Sequence, residues 1–317
     1  MNLKNKVLNE LKSTEDFISG QQLADFFGVS RNAVWKTVKS LQNDGYLIES
    51  VTNKGYRLLS ANDAIDTNII SGFFDDLDEE INIIHKTRVD STNNMLKKLY
   101  FESIPFNTLL IADEQYDGKG RFGRNFYSPS KTGVYFSLLI KPDFHTETPS
   151  IITSLTAVAV CDSISMLTSK KPGIKWVNDI YVDKKKVVGI LTEGSIDFET
   201  NNFEFLIIGI GINISTSDFP KEFRDKAGSL SVNISKSELI GTIISNFYKL
   251  YHQFPDKSFM SDYRKYSIMF NKKITYKLNN VTYTGEVVDI NDYGNLIVSS
   301  GDGISTLTSG EVTIIDF

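Results

Sequence analysis

Leu3, Val7, Leu8 and Leu11 recur at helical spacing at the start of the chain. Ser19 follows as an N-cap, and Gln22 stands where it closes a capping box. Leu23, Phe26 and Phe27 give this second helix, opened by Gly20, its apolar side. Gly28 is placed to end it in a left-handed conformation. Ser30 caps a third helix, in which Val34, Val38 and Leu41 share one face while Arg31, Asn32, Lys36 and Lys39 lie off it. After Gly45, residues 46–51 read as a strand, Thr52-Asn53-Lys54-Gly55 as a turn needing positive φ, and 56–59 as the returning strand. Three helices and a hairpin over residues 1–62 predict a winged helix-turn-helix.

Residues 60–80 form an acidic connection with some helical character. Apolar runs then predict strands at 108–114, 133–140, 174–176, 180–182, 187–194 and 203–210, with long helices at 149–169 and 235–252. A shorter strand at 81–85 precedes a helix containing Met95, Leu96 and Leu99. From residue 272 the chain is strand and turn, with Asn, Asp and Gly between short β-rich runs, which predicts a small barrel. The expected organisation is multidomain α/β, with a head at 1–62, a central mixed sheet with helices at 63–270 and a barrel at 271–317.

Charge sharpens this division. Residues 1–60 carry eight Lys/Arg and six Asp/Glu, which leaves −7 on the remainder of a chain whose net charge is −5. No acidic residue lies between Ser30 and Gln42. A basic head on an acidic body suits DNA. In a helix-turn-helix the N-terminal residues of the third helix meet base edges, here Ser30, Arg31, Asn32, Trp35 and Lys36, with Gly20 and Lys39 beside them and Lys54 on the wing near the phosphates. A docking module that binds no DNA is the alternative. The single Cys161 excludes an internal disulfide and sits in an apolar run as a core residue. With no signal-like N-terminus and no apolar run of membrane-spanning length, the expectation is a cytoplasmic protein that does not engage a membrane.

Residues 118–124 read GKGRFGR and formally match GxGxxG. A strand precedes them, but no helix opens in them. Residues 125–132 lead directly to the apolar run VYFSLLI, so the dinucleotide reading fails. A P-loop is also absent. What remains is a flexible loop with Lys119, Arg121 and Arg124, suited to an anion and equally readable as a solvated basic hairpin. Three other clusters stand out: DSTN at 90–93, which binds a polar ligand or merely caps a helix; KWVND at 175–179 with Lys186 beyond it; and GIGIN at 209–213. His85, His145 and His252 are too scattered for zinc and read as surface or packing residues.

In this order, with a winged head before them and SGEV in the tail, these clusters closely resemble the biotin–protein ligases, and over nearly the whole chain the bifunctional ligase/repressor type. The resemblance implies a class II synthetase-like central sheet and an SH3-like C-terminal barrel. It implies ATP and Mg²⁺, biotin, a biotin carboxyl carrier protein, operator DNA and, with adenylate bound, a homodimer. Ser91, Thr92, Asn93 and Gln115 would meet the fused-ring end of biotin. Gly118, Lys119, Gly120, Arg121 and Arg124 would form the loop that orders over biotin and its adenylate. Lys186 and Arg121 would be catalytic. Gly189, Asn178 and Asn213 would lie near the adenylate, and Phe126 stands where the family has an adenine-stacking aromatic.

Two positions depart from the family pattern. Lys119 replaces an arginine and loses its planar fork. Val177 replaces a proline. Asp179 suits either a metal or a turn. Rival readings are a biotin sensor without catalysis, a lipoate-type ligase, and a ligase whose head no longer reads DNA.

Overall fold

In the head, apolar spacing and local caps account for each helix. Helix α1 (Leu3–Lys12) buries Val7, Leu8 and Leu11 against Leu23 and Ala24 of α2 (Gly20–Phe27) and Val34, Val38 and Leu41 of α3 (Arg31–Asn43). The capping box forms: Ser19 Oγ accepts from Gln22 N at 3.1 Å, and Ser19 N donates to Gln22 Oε1 at 2.8 Å. Gly28 ends α2 at φ 64°. Ser30 Oγ accepts from Ala33 N. Strands β1 (Leu47–Val51) and β2 (Gly55–Ser60) form the antiparallel wing, and Ile18 pairs with Tyr56 along its other edge. Gly55 is required there, because at φ 113° a Cβ would lie 2.2 Å from Ile18 O.

The computed structural model describes residues 3–14, 16–43, 46–52, 54–60, 64–142, 150–197, 199, 202–278, 281–301 and 303–315. Gly45, Asn53, His145 and the boundary expected at 62/63 lie outside them. The chain divides into two compact units. One holds Met1–Asp66 with Asn233–Glu238; the other holds Thr67–Val232 and Leu239–Phe317, so the C-terminal strands cluster with the central sheet.

The second unit opens with α4 (Thr67–Ser71), β3 (Asn82–Val89), α5 (Thr92–Phe101), β4 (Thr108–Gln115), β5 (Gly133–Ile140) and α6 (Ser150–Leu167). Strands β6 (Gly173–Lys175), β7 (Asp179–Val182), β8 (Lys185–Asp197) and β9 (Asn202–Asn213) follow, then α7 (Lys221–Arg224), α8 (Lys236–His252) and α9 (Phe259–Tyr266). Seven strands align as β3-β4-β5-β9-β8-β7-β6, with only β3 and β4 parallel. This is the expected mixed sheet. Helix α5 packs Leu96 onto Leu110, Leu139, Phe205 and Ile207. Helix α6 packs on β6, β7, β8 and α9.

Three expectations need correcting. The strand expected at 81–85 runs to Val89, since β3 is an exposed edge whose polar residues hide the pattern. Trp176 belongs to the turn after β6, and its indole N–H donates to Gly294 O at 2.8 Å. Helix α6 is long and apolar enough, by length and composition, to cross a membrane. It is the core helix of this unit, with Cys161 fully buried and its thiol pushed well up by that burial.

The tail forms β10 (Lys273–Leu278), β11 (Val281–Ile290), β12 (Leu296–Ser300), β13 (Gly303–Leu307) and β14 (Val312–Ile314), in the antiparallel order β13-β12-β11-β10-β14. The expected small β-domain is this five-stranded antiparallel sheet, with no backbone pairing between β13 and β14 among the described residues.

Replacing Ser19 by Ala removes one half of the capping box. The expected cost is about 1 kcal/mol, seen as roughly five-fold faster hydrogen exchange of the first α2 amides.

Candidate active site

Strand β5 is apolar except for Ser137, which faces α5 from mid-strand and is fully buried. Its hydroxyl lies 2.6 Å from both Thr92 Oγ1 and Asn93 Oδ1, and its one proton serves the two. Thr92 donates through N and Oγ1 to Gln115 Oε1, at 2.8 and 3.1 Å. Gln115 Nε2 donates to Ser128 Oγ, which donates to Phe126 O. Asn93 Nδ2 donates to Glu193 Oε2 at 2.7 Å and to Leu191 O. This chain of bonds satisfies polar groups that burial would otherwise penalise. Ser91 holds the N-cap position of α5 but makes no side-chain cap bond.

The opposite wall is cationic. Lys186 Nζ lies 2.6 Å from Asp179 Oδ1 and 6.0 Å from the Phe126 ring centroid. That Asp179 oxygen is buried and close to its cation but has no aligned hydrogen bond. Arg121 donates to Asn178 Oδ1, and Asn178 in turn donates to Ile190 O. Burial lowers the pKa of Arg121, opposed by the charges of Asp179 and Glu311. Burial lowers Lys175 as well, with Asp179 opposing and Lys186 adding to the effect.

Glycines let these walls meet. A Cβ on Gly209 would stand 2.2 Å from Asn93 Oδ1, and one on Gly211 would stand 2.4 Å from the Phe126 ring. Phe126 therefore rests directly on β9 and beside Gly189. The cavity left between the walls is about 40 Å³, against roughly 300–1,000 Å³ for sites that enclose drug-sized ligands. A larger ligand must displace the aromatic ring or the loop.

Ser91, Thr92, Asn93, Gln115, Lys119, Gly120, Arg121, Phe126, Asn178, Lys186 and Gly189 all line this one cavity, joined by Ile190, Leu191 and residues 209–211. Three expected residues do not. Gly118 packs on Phe126 O and lines a neighbouring groove. Arg124 turns outward to Glu311. Asn213 is buried, and its Nδ2 donates to Gly228 O. The loop takes a short 3-10 turn at Arg121–Gly123 and no α-helix, as the failed dinucleotide reading required. Ser137, Glu193 and Glu311 were missed. Each carried a signal: Ser137 as the one polar residue in an apolar strand, Glu193 as the end of KVVGILTE after Lys186, and Glu311 within SGEV. Among the described residues no cluster of three His, Cys, Asp or Glu could hold a metal, and His85 and His252 pair with Asp113 and Glu79.

In the head, Arg31, Asn32, Lys36 and Lys39 are exposed along α3, Trp35 is 49 % exposed, and Lys54 projects from the wing.

The biotin/lipoate A/B protein ligase family matches residues 86–213, an HTH domain matches 4–57, and the biotin protein ligase C-terminal domain matches 270–314. The chain is 33 % identical over 309 residues to the bifunctional ligase/repressor BirA of Bacillus subtilis, covering 94 % of each protein. The chain belongs to the bifunctional ligase/repressor branch of the biotin protein ligases. BirA of Escherichia coli is 23 % identical over 311 residues, covering 96 % of this chain and 95 % of that one. Biotin protein ligase from Aquifex aeolicus, solved in complex with biotin and ATP, superposes with a TM-score of 0.64 at 28 % identity, covering 73 % of this chain and 97 % of that one. Membership in this ligase family fits a site of paired polar groups facing cations.

Replacing Gly209 by Ala forces Asn93 from its buried bonds. The expected loss is about 1–3 kcal/mol, an overpacking cost, read as a lower urea midpoint of the second unit.

Proposed function

We propose that the chain makes biotinyl-5′-AMP from biotin and ATP, transfers the biotinyl group to a lysine of a biotin carboxyl carrier protein, and represses biotin genes with the adenylate as corepressor. The supporting observation is one cavity whose two walls differ in chemistry. Its neutral wall, Ser91, Thr92, Asn93 and Gln115 backed by Ser137, offers the donors and acceptors that a ureido ring needs. Its cationic wall offers Lys186 and Arg121 to anions.

In the first step a biotin carboxylate oxygen attacks the α-phosphorus of ATP. The new C(O)–O–P linkage forms as the bond to pyrophosphate breaks. Two anions must approach, and unit charges about 4 Å apart repel by ~4 kcal/mol at an effective dielectric near 20. Lys186 and Arg121 offset that repulsion in place, without a reorganisation cost at the moment of reaction. Mg²⁺ held mainly by the substrate phosphates would screen their charge, and Asp179, which pairs with Lys186, is the carboxylate that would share in holding it. In the second step a neutral lysine amine attacks the acyl carbon, AMP leaves, and the amine loses its proton. No enzyme nucleophile is needed, and Cys161 is sealed in the core.

The head reads DNA through α3, with Ser30, Arg31, Asn32, Trp35 and Lys36 at base edges and Gly20, Lys39 and Lys54 positioned along the backbone. A two-fold operator calls for a two-fold protein. Beyond Ile190, whose N donates to Asn178 O, strand β8 pairs only with β9 among the described residues, and its residues 192–197 leave an open edge on which a second copy can continue the sheet. The domain division 1–62, 63–270 and 271–317 is kept in this reading, and the protein acts in the cytoplasm on ATP and its own operator.

The deciding experiment is transfer of labelled biotin, with ATP and Mg²⁺, to a purified acceptor domain. Lys186→Ala is expected to slow transfer by about 10²–10³-fold, the loss typical of one preorganised charge. Wild-type protein that binds biotin but never transfers it would leave only the sensor reading. For the head, Arg31→Ala is expected to cost about 1–3 kcal/mol of operator binding. Biotinyl-AMP should tighten that binding, and equal affinity with and without it in a gel shift would contradict the corepressor role.

A further inference from the structure

The cations of the Gly-rich loop have separate fates. Lys119 Nζ pairs with Asp117 at 2.6 Å, within the loop's own stem. Arg121 turns inward to Asn178. Arg124 alone reaches the C-terminal sheet, where its guanidinium meets the Glu311 carboxylate. The loop's backbone bonds are local: Gly120 N to Arg124 O at 2.7 Å, Phe126 N to Gly118 O at 2.8 Å, and Gln115 N to Ser128 O across its base. They give the loop its shape and leave its placement over the cavity to side-chain ties.

Glu311 has a firm mount for such a tie. It immediately precedes β14, which pairs with β10. The same sheet is fastened to the turn carrying Asn178, since Trp176 Nε1 donates to Gly294 O, and to α9, whose Arg264 Nε donates to Ile290 O and whose Tyr263 hydroxyl donates to Val177 O. Both ties of the loop, through Arg121 and through Arg124, therefore refer to one connected piece of the fold. Glu311 also lies in the field of Lys175 and Lys226, and Arg124 is the first cause holding its carboxyl below the usual range.

We propose that Glu311 is a positioning residue that acts through Arg124 to hold the Gly-rich loop over the cavity, so that the C-terminal sheet sets how long the acyl-adenylate stays enclosed. The substrate never touches Glu311. The proposal rests on the ligase reading and adds to it the device that retains the intermediate between the two steps.

The test uses the full chain. Labelled biotinyl-AMP is formed on the enzyme from biotin and MgATP, and its escape is followed after adding excess unlabelled biotin. Glu311→Gln and Arg124→Gln are each expected to speed escape about five-fold, the upper range for a half-exposed ion pair. The double variant should escape no faster than either single one, because both remove the same tie. Added salt should hasten escape from the wild type and have little effect on Glu311→Gln, a response that loss of packing alone would not produce. Wild-type retention in Glu311→Gln, multiplied effects in the double variant, or an unchanged salt response would each overturn the proposal. Failure of the wild type to form adenylate would instead overturn the ligase reading.

Discussion

One hydroxyl organises the cavity. Ser137 lies in the middle of the most apolar strand of the sheet, where an unpaired polar group would cost about 1–3 kcal/mol. It is paired on both sides, to Thr92 and Asn93. From it the bonds run one way through Gln115 and Ser128 to the carbonyl of Phe126, and the other way through Asn93 to Glu193 at the sheet's open edge. The loop aromatic, the helix start and the outer end of β8 are thus connected through one buried network. A ligand that bonds to any member must rearrange the others.

The glycines work with this network. Side chains approach β9 closely because Gly209 and Gly211 carry nothing, so a polar group and an aromatic ring lie flat against a sheet whose other positions are filled by branched residues. The price is a cavity of only about 40 Å³. Room for a ligand comes from moving Phe126 and the loop above it, which links binding to the state of residues 118–126.

Local chemistry makes much of this legible in the sequence. Ser19, Gln22, Gly28 and Ser30 announce their caps because a cap depends on a few neighbours. The order of DSTN, GKGRFGR, KWVND and GIGIN identified one site because chemistry ties those groups together. The same motifs do not say where each side chain points, so Arg124 and Asn213 were expected at the cavity and lie away from it. The extent of β3 was hidden by Lys86, Thr87 and Arg88, which are polar because the strand is an edge. Ser137, Glu193 and Glu311 meet their partners across 44, 100 and 187 positions of chain, and no periodicity encodes a meeting at that range.

Helix α6 has a consequence for how the protein is made. Nearly every side chain of its 18 residues is apolar or buried, and part of its cover is α9, about 90 positions later in the chain. At a synthesis rate of about 5–20 residues per second, the ribosome needs roughly 5–20 s to deliver that cover. During that interval the nascent chain displays a greasy rod long enough for a bilayer. Productive folding of this protein thus includes covering α6 with β6, β7 and β8 as they follow it from the ribosome, and with α9 only later.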